Sequence, residues 1–163
     1  MKKVLVVMGS DSDLKMMEKC VDRLKSFDIP VEVRICSAHR TPAVAEQLAK
    51  NAAAEGFGVI IAAAGKAAHL GGVLAAYTTL PVIGVPMATS VMGGMDSLLS
   101  IVQMPKGIPV ATVAIDGADN AAILAAQMIA LSDEALAAKL AAFKADMAAE
   151  VTAKDEKVRA QFA

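Results

Sequence analysis

Apolar runs alternate with amphipathic segments along this chain. The runs are short, and several of them are nearly free of polar residues, which is typical of strands buried on both faces of a sheet; they lie at residues 4–8, 31–36, 58–64, 81–86 and 110–115. Between the first two runs, Leu14, Met17, Val21 and Leu24 recur at the spacing of one helix face. This βα alternation predicts an α/β fold, a three-layer α/β/α sandwich with a parallel sheet.

Helix-start signals follow the first two predicted strands. Ser10 and Asp13 have the spacing of a capping box, with Asp in place of the usual Glu. Thr41 and Pro42 are typical of an N-cap followed by proline at the first helical position. Both helices are therefore expected to begin directly after a strand.

The segment at residues 133–158 predicts a C-terminal helix that no strand follows. Its apolar stripe consists of Leu136, Leu140, Phe143, Met147 and Val151. The pattern is compatible with packing on the same domain or on a neighbouring subunit. Since no repeat or linker interrupts the chain, we expect one domain over residues 1–163.

Composition excludes several classes of partner. A net charge of −1 leaves no strong field to attract nucleic acid or anionic lipid, and a chain with no Trp and one Tyr has no aromatic platform for stacking bases. Between residues 56 and 95 only Lys66 is charged, but Gly and Pro divide this apolar region into pieces shorter than the roughly 20 residues that span a bilayer. The first apolar run is too short for a signal peptide, so a cytoplasmic location with reduced Cys20 and Cys36 is expected.

Candidate binding residues occur in the loops that follow the predicted strands, where open α/β sheets bind their ligands. In the first loop, "MGSDSD", Ser10 and Ser12 are suited to a phosphate and Asp13 to a sugar hydroxyl, although helix capping explains Ser10 and Asp13 equally well. In the second loop, "SAHRTP", Arg40 offers a planar fork for a phosphate, with a surface ion pair as the alternative.

The chain has two histidines, and each lies in one of these loops. His39 is in "SAHRTP" and His69 in "AGKAAHLGG". Because imidazole gives and takes a proton near neutral pH, the pair suggests acid–base catalysis. Two histidines without a third clustered ligand make an incomplete metal site. Phosphate-loop and dinucleotide-binding patterns are absent, and the third strand lacks the phosphate-accepting aspartate of a receiver domain.

Five segments, "MGSDSD", "SAHRTP", "AAHL", "DSLLSIVQMPKGIPVATVAI" and "NAAILAAQ", closely resemble the N5-carboxyaminoimidazole ribonucleotide mutases of purine biosynthesis, from Lys3 to about Leu131. The resemblance implies a flavodoxin-like fold and a homo-octamer in which C-terminal helices pack on neighbouring subunits. It also implies that neither a metal nor an organic cofactor is used. The implied reaction moves a carboxylate from the exocyclic nitrogen of the substrate to ring carbon C4, through trapped carbon dioxide.

The resemblance also implies roles for individual residues. His39 would be the catalytic proton carrier, first as an acid and then as a base. Ser10, Asp13 and Arg40 would hold the ribose phosphate, with Ser12 and Ser37 nearby. The aminoimidazole and its carboxylate would contact the third loop, at Gly65, Lys66, Ala67, His69 and Leu70. The loop at residues 103–107 would come from another subunit.

Two positions depart from the family pattern. Lys66 stands where the mutases usually have glycine, and Gly71 stands where they usually have proline. A cation beside the carboxylate would tighten binding or change the carboxylation route. Lys66 therefore leaves a carboxylase that uses carbon dioxide directly as an alternative, while His69 favours the mutase. A non-catalytic nucleotide-binding scaffold is the second alternative.

Overall fold

The computed structural model describes residues 1–163. Its sheet has five strands in the order β2-β1-β3-β4-β5, and every neighbouring pair is parallel. The strands are β1 (Lys3–Met8), β2 (Val31–Ile35), β3 (Phe57–Ala64), β4 (Val82–Pro86) and β5 (Ala111–Thr112). This strand order is that of flavodoxin-like proteins, so the predicted parallel α/β fold is confirmed.

Six α-helices cover the two faces of the sheet. They are α1 (Leu14–Ser26), α2 (Pro42–Asn51), α3 (Leu70–Tyr77), α4 (Met95–Val102), α5 (Ala118–Ala130) and α6 (Glu134–Gln161). One core cluster joins α1, α5 and the start of α6 to the sheet, and the other joins α2, α3 and α4 to the opposite face. None of these helices is long and apolar enough to span a bilayer.

The central strands explain why their sequences are apolar at successive positions. On β1, Val4 and Val6 belong to one core cluster, whereas Leu5 and Val7 belong to the other. Strand side chains point alternately to opposite faces, so a strand that is covered on both faces needs apolar residues at every position. Each of these four side chains is at most 1% exposed.

Of the two edge strands, β2 matches its prediction and β5 does not. The predicted strand at 110–115 is wrong in extent, because β5 is only Ala111–Thr112. Beyond it, the chain follows β4 through isolated bonds such as that from Asp116 N–H to the Pro86 carbonyl, and Asp116 then turns with a φ of 57°. An edge strand is paired on one side only, so a regular ladder ends easily there. At the opposite edge, β2 leaves Val33 and Ile35 exposed.

Of the two predicted helix starts, the one after β1 differs from its prediction and the one after β2 agrees with it. The predicted capping box is wrong: Ser10 Oγ accepts from Ser12 N–H at the start of a 3-10 turn (Asp11–Asp13), and Asp13 makes no capping hydrogen bond to α1. On the predicted apolar face of α1, Leu14 is exposed, whereas Met17 and Leu24 are buried as predicted. The start of α2 is confirmed, with Thr41 as N-cap and Pro42 at the first helical position.

The C-terminal helix begins as predicted and extends further. Asp133 caps it by accepting the Leu136 N–H at 3.0 Å. Leu136 and Leu140 are buried in the core cluster that contains α5, and Phe143 packs against that cluster. Residues 144–161 are all exposed, including Met147 and Val151 of the predicted stripe. Within the chain, the stripe therefore has a partner along its first half only.

Candidate active site

A cavity of about 660 Å³ opens at the carboxyl ends of β1, β2, β3 and β4. All of the site residues predicted from the sequence line it, namely Ser10, Ser12, Asp13, Ser37, His39, Arg40, Gly65, Lys66, Ala67, His69 and Leu70. Parallel strands bring their carboxyl ends to one edge, which is why loops far apart in the chain meet there. The roles assigned to these residues remain predictions.

The two histidines contact each other inside this cavity. His39 Nε2 lies 2.8 Å from His69 Nδ1, and the rings meet nearly at right angles with their centroids 5.0 Å apart. One of the facing nitrogens donates a hydrogen bond and the other accepts it. Both side chains are exposed, and neither His39 Nδ1 nor His69 Nε2 has a protein partner. One nitrogen of each ring is therefore available to a ligand.

A tight turn after β2 presents His39 and Arg40. Thr41 closes the turn, because its N–H and its hydroxyl both donate to the Ser37 carbonyl, at 2.7 and 2.9 Å, and its hydroxyl accepts the Ser37 N–H at 3.1 Å. Ser37 Oγ accepts the Arg40 N–H at 3.2 Å. Ser37 and Thr41 thus hold the turn, and neither the His39 nor the Arg40 side chain takes part in closing it.

Arg40 has no acidic partner. Its Nη2 donates only a long hydrogen bond, of 3.4 Å, to the carbonyl of Gly9. The five ion pairs of the chain all involve other residues, which removes the surface ion pair as an explanation of Arg40. An unpaired guanidinium in a cavity is well suited to an anion such as phosphate.

The loop after β1 places polar groups beside Arg40. Ser10 Oγ donates to Asp11 at 3.1 Å, and Ser12 Oγ donates to Asp13 at 3.4 Å. Burial raises the pKa of the Asp13 carboxyl, and the nearby negative charges of Asp11 and Asp116 raise it further, against the lowering effect of the Ser12 hydrogen bond. The serine hydroxyls bond only to close neighbours in the chain, so a ligand can replace these contacts.

The loop after β3 carries an unusual backbone conformation. Lys66 has a φ of 59°, in the left-handed region that glycine adopts without steric cost. For a residue with a side chain this conformation costs on the order of 1 kcal/mol, and surrounding contacts must hold it in place. The Lys66 N–H donates to Ser97 Oγ at 2.9 Å, and Ser97 Oγ donates to the Met87 carbonyl at 2.8 Å. Ser97 is fully buried and joins the loops after β3 and β4.

Some residues of the site were missed by the sequence analysis. Thr89 and Ser90, after β4, also line the cavity, and the hydroxyls of "MATS" were a usable signal for them. Asp116 supports that loop by accepting the Ala88 N–H at 2.9 Å. Ser97 had no signal, because it lies within a helix and only the fold brings it beneath two loops.

Comparisons with known proteins identify the family. The family model described as AIR carboxylase matches residues 3–150. Two relatives named N5-carboxyaminoimidazole ribonucleotide mutase are those of Methanocaldococcus jannaschii, 53% identical over 98% of this chain and 99% of the relative, and Thermotoga maritima, 51% identical over 97% and 92%. The crystal structure of Treponema denticola PurE has a TM-score of 0.87 and 31% identity, over 94% of this chain and 96% of that one. The family resemblance predicted from the five sequence segments is thereby confirmed, and the chain belongs to the AIR carboxylase family.

Proposed function

We propose that this protein is an N5-carboxyaminoimidazole ribonucleotide mutase, an isomerase of purine biosynthesis. Relatives that are more than half identical over nearly the whole chain carry that name. The observation that carries the chemistry is the contact between His39 and His69 in a cavity that also holds an unpaired arginine. Neither the direct carboxylase nor the non-catalytic scaffold is favoured by these relatives.

The proposed reaction needs one proton carrier, His39. Its imidazolium protonates the carbamate nitrogen, the bond from that nitrogen to the carboxyl carbon breaks, and carbon dioxide and the free amine form. Ring carbon C4 then attacks the carbon dioxide, and His39 removes the proton from C4 and becomes imidazolium again. Proton transfer of this kind contributes on the order of 10² to 10⁴-fold to a rate. His69 keeps the His39 ring in place through the 2.8 Å contact.

The ribonucleotide is proposed to lie across the sheet edge. Arg40, Ser10 and Ser12 would bind its phosphate, Asp13 would accept from a ribose hydroxyl, and Ser37 would support Arg40. The aminoimidazole would contact the loop after β3, at Gly65, Lys66, Ala67, His69 and Leu70. The support for this placement is that all these residues line one cavity and that Arg40 has no ion pair.

We also propose assembly into a homo-octamer in which the end of α6 and the loop at residues 103–107 pack on neighbouring subunits. The support is the exposure of apolar residues on α6 beyond Phe143, where Met147 is 42% and Val151 is 66% exposed. The cytoplasmic location and the absence of a metal or organic cofactor remain predictions.

A comparison of two reactions tests the function. Freshly generated N5-carboxyaminoimidazole ribonucleotide is supplied in bicarbonate-depleted buffer without ATP, beside a reaction with aminoimidazole ribonucleotide and carbon dioxide. We expect rapid formation of 4-carboxy-5-aminoimidazole ribonucleotide from the carbamate. Product only from the second reaction would identify a direct carboxylase, and no product from either would leave the scaffold.

A further inference from the structure

Lys66 combines three features that are seldom found together. It lines the active-site cavity, its backbone is in the left-handed region, and its ammonium group takes part in no ion pair or hydrogen bond. A non-glycine residue in a strained backbone conformation is a recognised feature of ligand-binding sites. The side chain itself therefore needs an explanation, since glycine would fit the backbone better.

The backbone on both sides of Lys66 is fixed by other residues. Its N–H donates to Ser97 Oγ at 2.9 Å, and its carbonyl accepts the Ala68 N–H at 2.8 Å. Ser97 is 0% exposed and is held in turn by the Met87 carbonyl. The direction in which the Lys66 side chain leaves the loop is thus set by the core of the protein before any ligand binds.

The cavity contains two permanent cations, and they belong to opposite sides of it. Arg40 follows β2 and reaches the Gly9 carbonyl after β1, whereas Lys66 follows β3 and is tied to the loop after β4. In the sheet order β2-β1-β3-β4, the strands that precede the two cations, β2 and β3, lie on either side of β1. A ligand with two separate anionic groups matches this arrangement better than a ligand with one.

We propose that Lys66 is a specificity-determining residue that binds the carboxylate of the carboxylated ribonucleotides. The inference rests on the proposed function, in which substrate and product carry both a phosphate and a carboxylate. With Arg40 on the phosphate, Lys66 is the remaining cation for the carboxylate. The site then distinguishes carboxylated ribonucleotides from aminoimidazole ribonucleotide, which has only the phosphate.

Calorimetric titration of two ligands tests the inference. The ligands are 4-carboxy-5-aminoimidazole ribonucleotide and aminoimidazole ribonucleotide, and the proteins are the wild type, Lys66→Gly, Lys66→Arg and Lys50→Gln. We expect Lys66→Gly to lose about tenfold or more in affinity for the carboxylated ligand, since a charge-assisted contact is lost, and to change about twofold or less for the other. Lys66→Arg keeps the discrimination, and Lys50→Gln, whose lysine pairs with Glu46 outside the cavity, changes neither affinity.

Equal changes for the two ligands in Lys66→Gly, or no change, would overturn the role of Lys66. Turnover of the wild type is measured on the same preparations. A wild type that converts the carbamate while Lys66→Gly keeps its discrimination rejects this inference alone. A wild type without turnover rejects the proposed function instead. Glycine suits the left-handed backbone, so loss of folding is not expected to obscure the result.

Discussion

The two sides of the active-site cavity are built in different ways. In the loops after β1 and β2, the serine and threonine side chains bond to residues one to four positions away, as Ser10 does to Asp11 and Thr41 to the Ser37 backbone. In the loops after β3 and β4, the supporting bonds join distant segments, since Lys66 and Ser97 are 31 positions apart. The loops after β1 and β2 form an adaptable side, which can exchange its own bonds for bonds to a ligand. The loops after β3 and β4 form a fixed side, whose bonds are in place before a ligand arrives.

The difference suits the proposed reaction, in which carbon dioxide must be retained. A flexible phosphate can be held by groups that adapt to it, but a trapped small molecule needs a wall that does not open. Ala68 and Leu70 of the fixed side are almost fully buried, at 1% and 2% exposure. The contact between His39 and His69 is the one side-chain hydrogen bond that crosses from the adaptable side to the fixed one.

Breaking that crossing contact at His39 is expected to give the largest effect. His39→Asn should lower turnover of the carbamate by at least about 100-fold, because the proton carrier is lost. Its affinity for 4-carboxy-5-aminoimidazole ribonucleotide should stay within about threefold, since the phosphate contacts come from other residues. Single-turnover rates and calorimetry on the same preparation measure the two quantities. A near-normal rate would contradict the role of His39.

The adaptable side is tested by Arg40→Ala. We expect affinity for both carboxylated and non-carboxylated ribonucleotides to fall about 10 to 100-fold, because both carry the phosphate and a charge-assisted contact is lost. Arg40→Lys should recover only part of this loss, since an ammonium lacks the planar fork. Titration with the ribonucleotide and with its dephosphorylated ribonucleoside is the matched measurement. Unchanged affinity for the ribonucleotide would remove Arg40 from the phosphate site.

The sequence predicted the central part of the fold because burial leaves a strong pattern there. Strands β1, β3 and β4 are covered on both faces and appear as continuous apolar runs. The prediction failed at 110–115, where residues half-buried at the sheet edge are apolar without forming a regular ladder. An apolar residue indicates that a position is buried, not that it is paired in a strand. At a sheet edge a residue can be partly buried without pairing, so the apolar pattern no longer predicts the extent of the strand.

The site was predictable to the extent that it follows from topology. Polar loops after parallel strands must meet at one edge, and this placed His39 and His69 together without any knowledge of strand order. Their 2.8 Å contact depends on β2 and β3 lying on either side of β1, which no local pattern determines. Ser97 lies within α4 and becomes part of the site only because that helix packs beneath two loops.

Removing one hydroxyl from each side of the cavity tests whether the fixed side contributes more to the stability of the fold than the adaptable side does. Ser97→Ala leaves the Lys66 N–H without its acceptor and the Met87 carbonyl without its donor, so we expect a loss of about 1–3 kcal/mol in the free energy of unfolding. Ser12→Ala removes an exposed hydroxyl with a 3.4 Å bond, and its loss should stay within about 0.5 kcal/mol. Urea unfolding of both variants measures the contrast. Equal losses would show that the two sides do not differ in rigidity.

The smallest expected effect concerns Asp13, on the adaptable side, and it depends on pH. Burial raises the pKa of its carboxyl above 3.8, so the folded protein binds this proton more tightly than the unfolded chain does. Above the raised pKa the ionised carboxylate therefore lowers the free energy of unfolding, and the penalty disappears as the pH falls through the raised value to 3.8.

Asp13→Asn should accordingly be more stable than the wild type near neutral pH and lose this advantage in acid. Urea unfolding across that range, with Asp22→Asn as the exposed control, measures the difference. A wild type that is more stable than Asp13→Asn near neutral pH would mean that the carboxylate is stabilised by its neighbours, and that this side of the cavity is as fixed as the other.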